Sequence, residues 1–246
     1  MDRLTTLLRL SSPQVTEDLQ VASGFLVLAE QDQVVRWCHQ VSSAHPFLAI
    51  RFQHAHAPLT QALPDNLGIS WAEDSELAAL VRLLKAELLN ERCGGGMMRQ
   101  HLAELMLIRL LRDILEHQRA PAGLLAGLAH PQIARALVAL HDHPEHGWTV
   151  ERLAEHAAMS RTAFIEHFRR VLGEPPGSYI AHWKLMTAQR LLEQGGTVAQ
   201  AAVRAGYSGP TALTRAYRAR FGCSPKHHKA TLNHTRDRQP LQEITL

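Results

Sequence analysis

Cysteine is scarce in this 246-residue sequence: Cys38, Cys93 and Cys223 stand far apart, are odd in number and form no Cys-x-x-Cys. Neither a disulfide framework nor a zinc knuckle is indicated, so reduced thiols are expected. No apolar run approaches the ~18 residues that would cross a bilayer. The opening "MDRLTTLLRLSSP" has no apolar core followed by a small-residue cleavage site. The expectation is a cytoplasmic chain with no membrane partner. Gly-x-Ser-x-Gly and a Gly-rich phosphate loop are also missing, so an enzyme is not expected and no cofactor is implied. The most informative absence is local: between Glu193 and Asp237 there is no acidic residue at all.

That gap marks an uneven charge distribution. Residues 148–229 hold 12 Lys/Arg against 5 Asp/Glu, a net +7, while the rest of the chain is −4. A basic third on an otherwise acidic chain is what a surface that meets a polyanion requires.

Up to about residue 72 lie the only convincing strand candidates, "GFLVLAE", "QVVRWC" and "FLAIRFQ", which leave room for three or four strands. The pattern then turns helical. Leu77, Leu80, Val81, Leu84 and Leu88 follow helical spacing behind Asp74 and Ser75 as N-cap candidates. A longer helix, residues 97 to about 117, is apolar over most of its circumference through Leu102, Leu105, Met106, Leu107, Ile108, Leu110 and Leu111. It is either the centre of the core or part of a subunit contact. "PQIARALVALHDH" reads as another helix, and the polar "HPEHG" leads to a domain boundary at Trp148.

Beyond that boundary the sequence repeats. "TVERLAEHAAMS" and "TVAQAAVRAGYS" align at an offset of 48, pairing Thr149 with Thr197, Ala154 with Ala202 and Ala157 with Ala205. The following segments align at an offset of 49, pairing Phe164 with Leu213, Phe168 with Tyr217, Arg169 with Arg218, Gly173 with Gly222 and Pro176 with Pro225. Each copy reads as a short helix, a tight turn at Ala158-Met159 or Gly206-Tyr207, and a second helix closed by glycine. Ser160 can cap one second helix; Gly209 followed by Pro210 at N1 can open the other. This is a helix-turn-helix, twice. Between the copies, Ile180, Trp183, Thr187 and Leu191 mark one face of a connecting helix ending at Gly195-Gly196.

Residues 148–229, and above all "AVRAGYSGPTALTRAYRARFGCSPKHHK", strongly resemble the AraC/XylS family of bacterial transcription regulators. Gly209 stands where that family usually has a Ser cap, and Glu166 where a basic or amide side chain is common. Upstream, "MDRLTTLLRL" and "HPFLAIRFQHAHAPLTQALPDNLGIS" look like the beginning and later part of the family's cupin-type sensor. A cupin needs about eight strands, twice what the region before Ser75 accommodates. The expected fold is therefore mainly α, with an all-α tandem helix-turn-helix domain at 147–230. A small α+β domain precedes it at 1–146, resembling a reduced cupin with helices over about 75–145. A flexible tail follows at 231–246. A sheet too short to close is expected to hold no tight effector pocket.

With Phe164 and Phe168 inward, Thr162, Ile165, Glu166 and Arg169 lie on or beside the outer face of the first recognition helix. The matching positions of the second are Thr211, Thr214, Arg215 and Arg218. Arg215 is the candidate for a bidentate contact to guanine. The family resemblance places base contacts at the same positions, adding Pro210 and Ala212 as apolar neighbours of thymine methyls. It implies double-stranded DNA as partner, a homodimer through helices in 76–118, and contact with RNA polymerase. The competing expectation is a protein-interaction regulator that has lost its sensor and acts by pairing with a related partner. Among sixteen histidines, His54-x-His56 and a loop group of His141, His143 and His146 show no carboxylate or thiol at recognisable ligand spacing, so no metal is expected. Lys226, His227, His228 and Lys229 are expected to extend a phosphate-facing surface, and Cys223 to be a small helix-end side chain.

Overall fold

The β-branched and aromatic runs of the N-terminal part pair with one another as an antiparallel sheet. The computed structural model describes residues 2–29, 33–40, 47–52, 58–72, 75–90, 92–120 and 122–229. His54, His56, Asp74 and the tail at 231–246 lie outside these. The chain divides into two units, residues 1–135 with 170–173, and residues 136–169 with 174–246.

The first unit contains α1 (Thr5–Ser11), β1 (Pro13–Val15), β2 (Gly24–Ala29), β3 (Val34–Cys38), β4 (Phe47–Phe52), α2 (Pro58–Ala62), β5 (Leu67–Ser70), α3 (Glu76–Leu89), α4 (Gly95–Glu116) and α5 (Leu124–Ala129). The sheet order is β1-β4-β2-β3-β5, every pair antiparallel. Five strands form where three or four are expected. The two extra ones are β1, three residues opened by a proline, and β5, four residues without clear alternation.

Register explains the sheet's core. Leu26 lies opposite Trp37 on one side and Leu48 on the other, so these three share a face with Leu28 and Val35, all buried. Phe25, Val27 and Ala49 are buried on the opposite face. Trp37 lies so close over Gly24 that a Cβ there would sit 2.2 Å from its ring. Edge strand β1 is held by α4: Gln100 accepts from Val15 N (2.8 Å) and donates to Pro13 O (2.9 Å).

Helices α3 and α4 arise as periodicity predicts. Ser75 Oγ accepts from Ala78 N at 3.2 Å and starts α3. Helix α4 buries Leu102, Ala103, Met106, Leu107, Leu110, Leu111 and Ile114. Its remaining apolar circumference stays outside: Met97, Met98 and Leu105 are exposed, as are Leu83 and Leu89 of α3. One stripe of α4 is thus part of the core, and another is apolar and exposed.

Helix α6 (Pro131–Asp142) leads into the second unit, which contains α7 (Val150–His156), most of α8 (Arg161–Leu172), α9 (Pro176–Glu193), α10 (Val198–Arg204) and α11 (Pro210–Phe221). The sequence repeat reappears in the helix boundaries. Helices α7 and α10 each have 7 residues, and α8 and α11 each have 12.

Candidate nucleic-acid interface

Each helix-turn-helix is built by the same local devices. Thr149 caps α7 by accepting from Arg152 N, and Thr197 caps α10 by accepting from Gln200 N at 3.1 Å, while Gln200 Oε1 accepts in turn from Thr197 N at 2.8 Å. The turns then need a left-handed residue, and they have one at the same place: Ala158 at φ 52° and Gly206 at φ 71°. Glycine Gly222 closes α11 at φ 71° and Gly173 follows α8 at φ 83°.

Helix α9 serves both helix-turn-helix motifs. Its N-terminal half carries Tyr179, whose ring meets Phe168 of α8 edge-on at 5.5 Å, and Trp183, on which buried His141 of α6 stacks at 3.7 Å. Its C-terminal half packs Leu185, Ala188 and Leu192 against Ala201, Ala202 and Ala205 of the second short helix and its turn, and Leu213 and Tyr217 of α11. One unbroken helix thus forms part of two small cores.

With Phe164, Phe168, Leu213 and Tyr217 wholly inside, the opposite faces of α8 and α11 are fixed outward. Thr162, Glu166 and Arg169 are exposed, and Ile165 is half-buried at the edge. On α11, Pro210, Thr211, Arg215 and Arg218 are exposed, while Ala212 and Thr214 are half-buried. Each recognition helix therefore brings its group together on one side. Among the described residues, no intramolecular hydrogen bond or ion pair engages the side chains of Glu166, Arg169, Arg215 or Arg218.

The two helix starts differ. Ser160 Oγ accepts from Ala163 N at 3.3 Å, satisfying a first-turn amide of α8. Gly209 offers α11 no side-chain cap, and Pro210 has no N–H, so the amides of that first turn remain available to an anion. At the start of α8, Arg161 is paired with Glu151 rather than free.

Several positions are not as the spacing suggests. His141 is not in a solvated loop: it continues the buried stripe of α6, its Nε2 lies 2.8 Å from Tyr179 Oη, and burial pushes its pKa down to about 3. Burial likewise raises the Tyr179 hydroxyl well above its ordinary value. Lys229 is not a free phosphate contact, because its Nζ donates to Gly195 O (2.8 Å) and Gly196 O (2.9 Å) beyond the end of α9. Lys184 does the same for the second turn: its Nζ donates to Gly206 O at 3.1 Å and lies over the Tyr207 ring at 5.9 Å. Burial lowers the pKa of this lysine and raises that of Tyr207 to about 12. Nothing in the spacing marks Lys184, which lies on α9, away from the repeat. Glu145, passed over between two histidines, has a carboxylate oxygen within 4.0 Å of both rings.

Two short helices, a left-handed turn and a paired outward face, repeated around a common helix, define a tandem helix-turn-helix protein. The family described as a helix-turn-helix domain matches residues 153–231, and the one described as cupin matches residues 8–116. These two matches, with the relatives that follow, support a regulator of the AraC/XylS type with a cupin-type domain at its N-terminal end. It is 33% identical to the HTH-type transcriptional regulator AlkR of Acinetobacter baylyi over 72% of this chain and 59% of that protein. It is 38% identical to a putative AraC-like transcription regulator of Streptomyces antibioticus over 58% of this chain and 48% of that protein. The chain thus spans about half to three-fifths of the length of these relatives. Among solved structures it is similar to the DNA-binding domain of AdpA in complex with a target DNA, at 31% identity and a TM-score of 0.41, covering 43% of this chain and 96% of that one. No helix among the described residues is long and apolar enough to cross a membrane.

Proposed function

We propose that this protein is a sequence-specific transcription regulator that binds double-stranded DNA in the cytoplasm, reading two successive major-groove segments through α8 and α11. The observation that carries this reading is the pair of outward faces on equivalent helices of one unit, joined by α9. Thr162, Ile165, Glu166 and Arg169 form the first reader. Pro210, Thr211, Thr214, Arg215 and Arg218 form the second, with residues 147–230 as the reading domain. A major groove admits one helix, and successive openings on one side of B-DNA recur after ~10 bp, or ~34 Å. A single chain can then read an asymmetric site. Regulation would follow from recruitment or exclusion of RNA polymerase at that site.

The test is a footprint of the full chain on a duplex selected from a random library. Two protected major-groove segments about 10 bp apart on one face are expected. Protection of one segment alone overturns the two-reader reading.

The exposed Leu83, Leu89, Met97, Met98 and Leu105 favour a second role for the α3–α4 pair, as a homodimer contact. Sedimentation of the chain against a Leu89→Glu/Met97→Glu variant tests this. A dimer that becomes a monomer is expected; a monomer in both cases removes the proposal.

A further inference from the structure

The loop between α6 and α7 carries a side-chain cluster that the DNA reading does not use. His143, Glu145 and His146 are all exposed, and one ligand atom from each lies within 4.8 Å of the others. Both rings address the same oxygen: His143 Nδ1 is 3.6 Å and His146 Nε2 is 4.0 Å from Glu145 Oε1. The two imidazoles lie nearly parallel, 5.0 Å apart with 14° between their planes.

This convergence is set by a constrained backbone. His146 N donates to His143 O at 3.1 Å, closing a turn around Pro144 and Glu145. Trp148 then clamps the turn from both ends of its residue. Its indole Nε1 donates to His143 O at 2.7 Å and its backbone N to His146 O at 2.6 Å. Trp148 is itself buried, so this clamp is anchored in the unit's interior. The other side of the loop is occupied too. A Cβ on Gly206 would lie 2.6 Å from Pro144 O, 3.4 Å from Glu145 O and 3.5 Å from His146 O. The turn of the second helix-turn-helix therefore rests on the backbone that presents the three ligands.

The geometry points to a transition-metal site formed by His143, Glu145 and His146, at the seat of the second helix-turn-helix turn. Two imidazoles and one carboxylate suit Zn²⁺ or Ni²⁺, not Mg²⁺ or Ca²⁺, which prefer all-oxygen sets. Ligand atoms around tetrahedral Zn²⁺ at ~2.0–2.2 Å stand roughly 3.3 Å apart, so rotation of exposed side chains by about an ångström closes the set. The remaining positions face water. A bound ion would tie residue 143 to residue 146 across the loop and so brace the carbonyls beneath Gly206.

The competing description is a pair of surface ion pairs between histidine and carboxylate, which carry charge on both partners only when the rings are protonated. Metal binding requires neutral rings, so the experiment is run at about pH 7.5. Zn²⁺ is titrated into the full chain by calorimetry against a weak competing chelator. One stoichiometric site tighter than about 10 µM is expected. In H143Q/H146Q that site weakens at least a hundredfold, and in E145Q about tenfold. Melting temperatures of both variants in EDTA match the native chain, because these side chains are exposed. Zn²⁺ raises the melting temperature of the native chain and leaves that of H143Q/H146Q unmoved. Absence of a stoichiometric site, or native Zn²⁺ affinity in H143Q/H146Q, overturns the proposal.

Discussion

The two helix-turn-helix units have helices of equal length and turns at equivalent residues, yet they are held together by different means. Around the first, aromatic rings dominate: Phe164, Phe168, Tyr179, Trp183 and the buried His141 meet one another in sequence from α8 through α9 to α6. The second is filled by alanines and leucines around Tyr217, with Lys184 and Lys229 donating to backbone carbonyls at its edges. Their outward faces diverge as well: Glu166 of the first stands where the second has Arg215. The same framework tolerates a large aromatic core or a small aliphatic one, because length, turn and cap fix the geometry and the core only has to fill it.

The turns give the sharpest way to break this equivalence. Ala158 and Gly206 occupy the same left-handed position, but only Gly206 lies against the carbonyls of residues 144–146. Gly206→Ala adds a positive-φ penalty of ~1–2 kcal/mol and a collision with backbone worth a further ~1–3 kcal/mol. A loss of about 3 kcal/mol is expected in denaturant unfolding of the second unit. A loss under about 1 kcal/mol would mean that the loop yields.

The outward faces come next. Arg215→Ala is expected to cost ~1–3 kcal/mol on the preferred duplex and to relax one position towards any base. Glu166→Ala is expected to leave non-specific binding unchanged or stronger, since a carboxylate repels phosphate, while lowering preference at one position, where it would accept from cytosine N4. Competition titrations against single-base-substituted duplexes at two salt concentrations measure both. An unaltered base preference in Glu166→Ala removes that residue from the reader.

Acid is expected to weaken the packing around the first helix-turn-helix through His141. Its folded pKa of about 3 lies below the ordinary 6.5, so the unfolded chain takes up the proton first. The stabilisation is complete above about pH 6.5 and is lost progressively as the pH falls towards 3. Between pH 7 and 5 the loss is about 2 kcal/mol. His141→Phe should flatten this dependence, read from urea midpoints at the two pH values. An unchanged slope would assign the acid sensitivity elsewhere.

The smallest effect is at the matching turn. Ala158 holds φ 52° at an exposed position, so Ala158→Gly relieves backbone strain while adding freedom to the unfolded chain. A net gain of at most about 1 kcal/mol is expected in the same unfolding measurement.

Much of the second unit can be read directly from residue order. A repeat that preserves turn, glycine and apolar positions specifies both cores, and inward Phe164 and Phe168 fix which side chains face out. His141 was open to the same reasoning, since it continues the stripe of Ile133, Leu137 and Leu140, but its residue type suggested solvent. Strands β1 and β5 are short, and their stability comes from partners distant in sequence, Phe52 and Arg51 for β1 and Val35 and Trp37 for β5. Such pairing leaves no local periodic mark. The convergence of His143, Glu145 and His146 depends on a turn clamped by Trp148, which ligand-spacing rules do not describe.

Helix α9 also constrains how such a protein can change over generations. Its 18 residues span about 27 Å, and each inserted residue would turn one end by ~100° about the axis relative to the other. Point substitutions on α8 or α11 change the outward face of each helix and leave their phase untouched. Insertions or deletions in α9 do the reverse, and a single one throws the two faces out of alignment at once. On the proposed function, the vocabulary of each reader can therefore drift base by base, while the spacing between the two words is inherited as a unit.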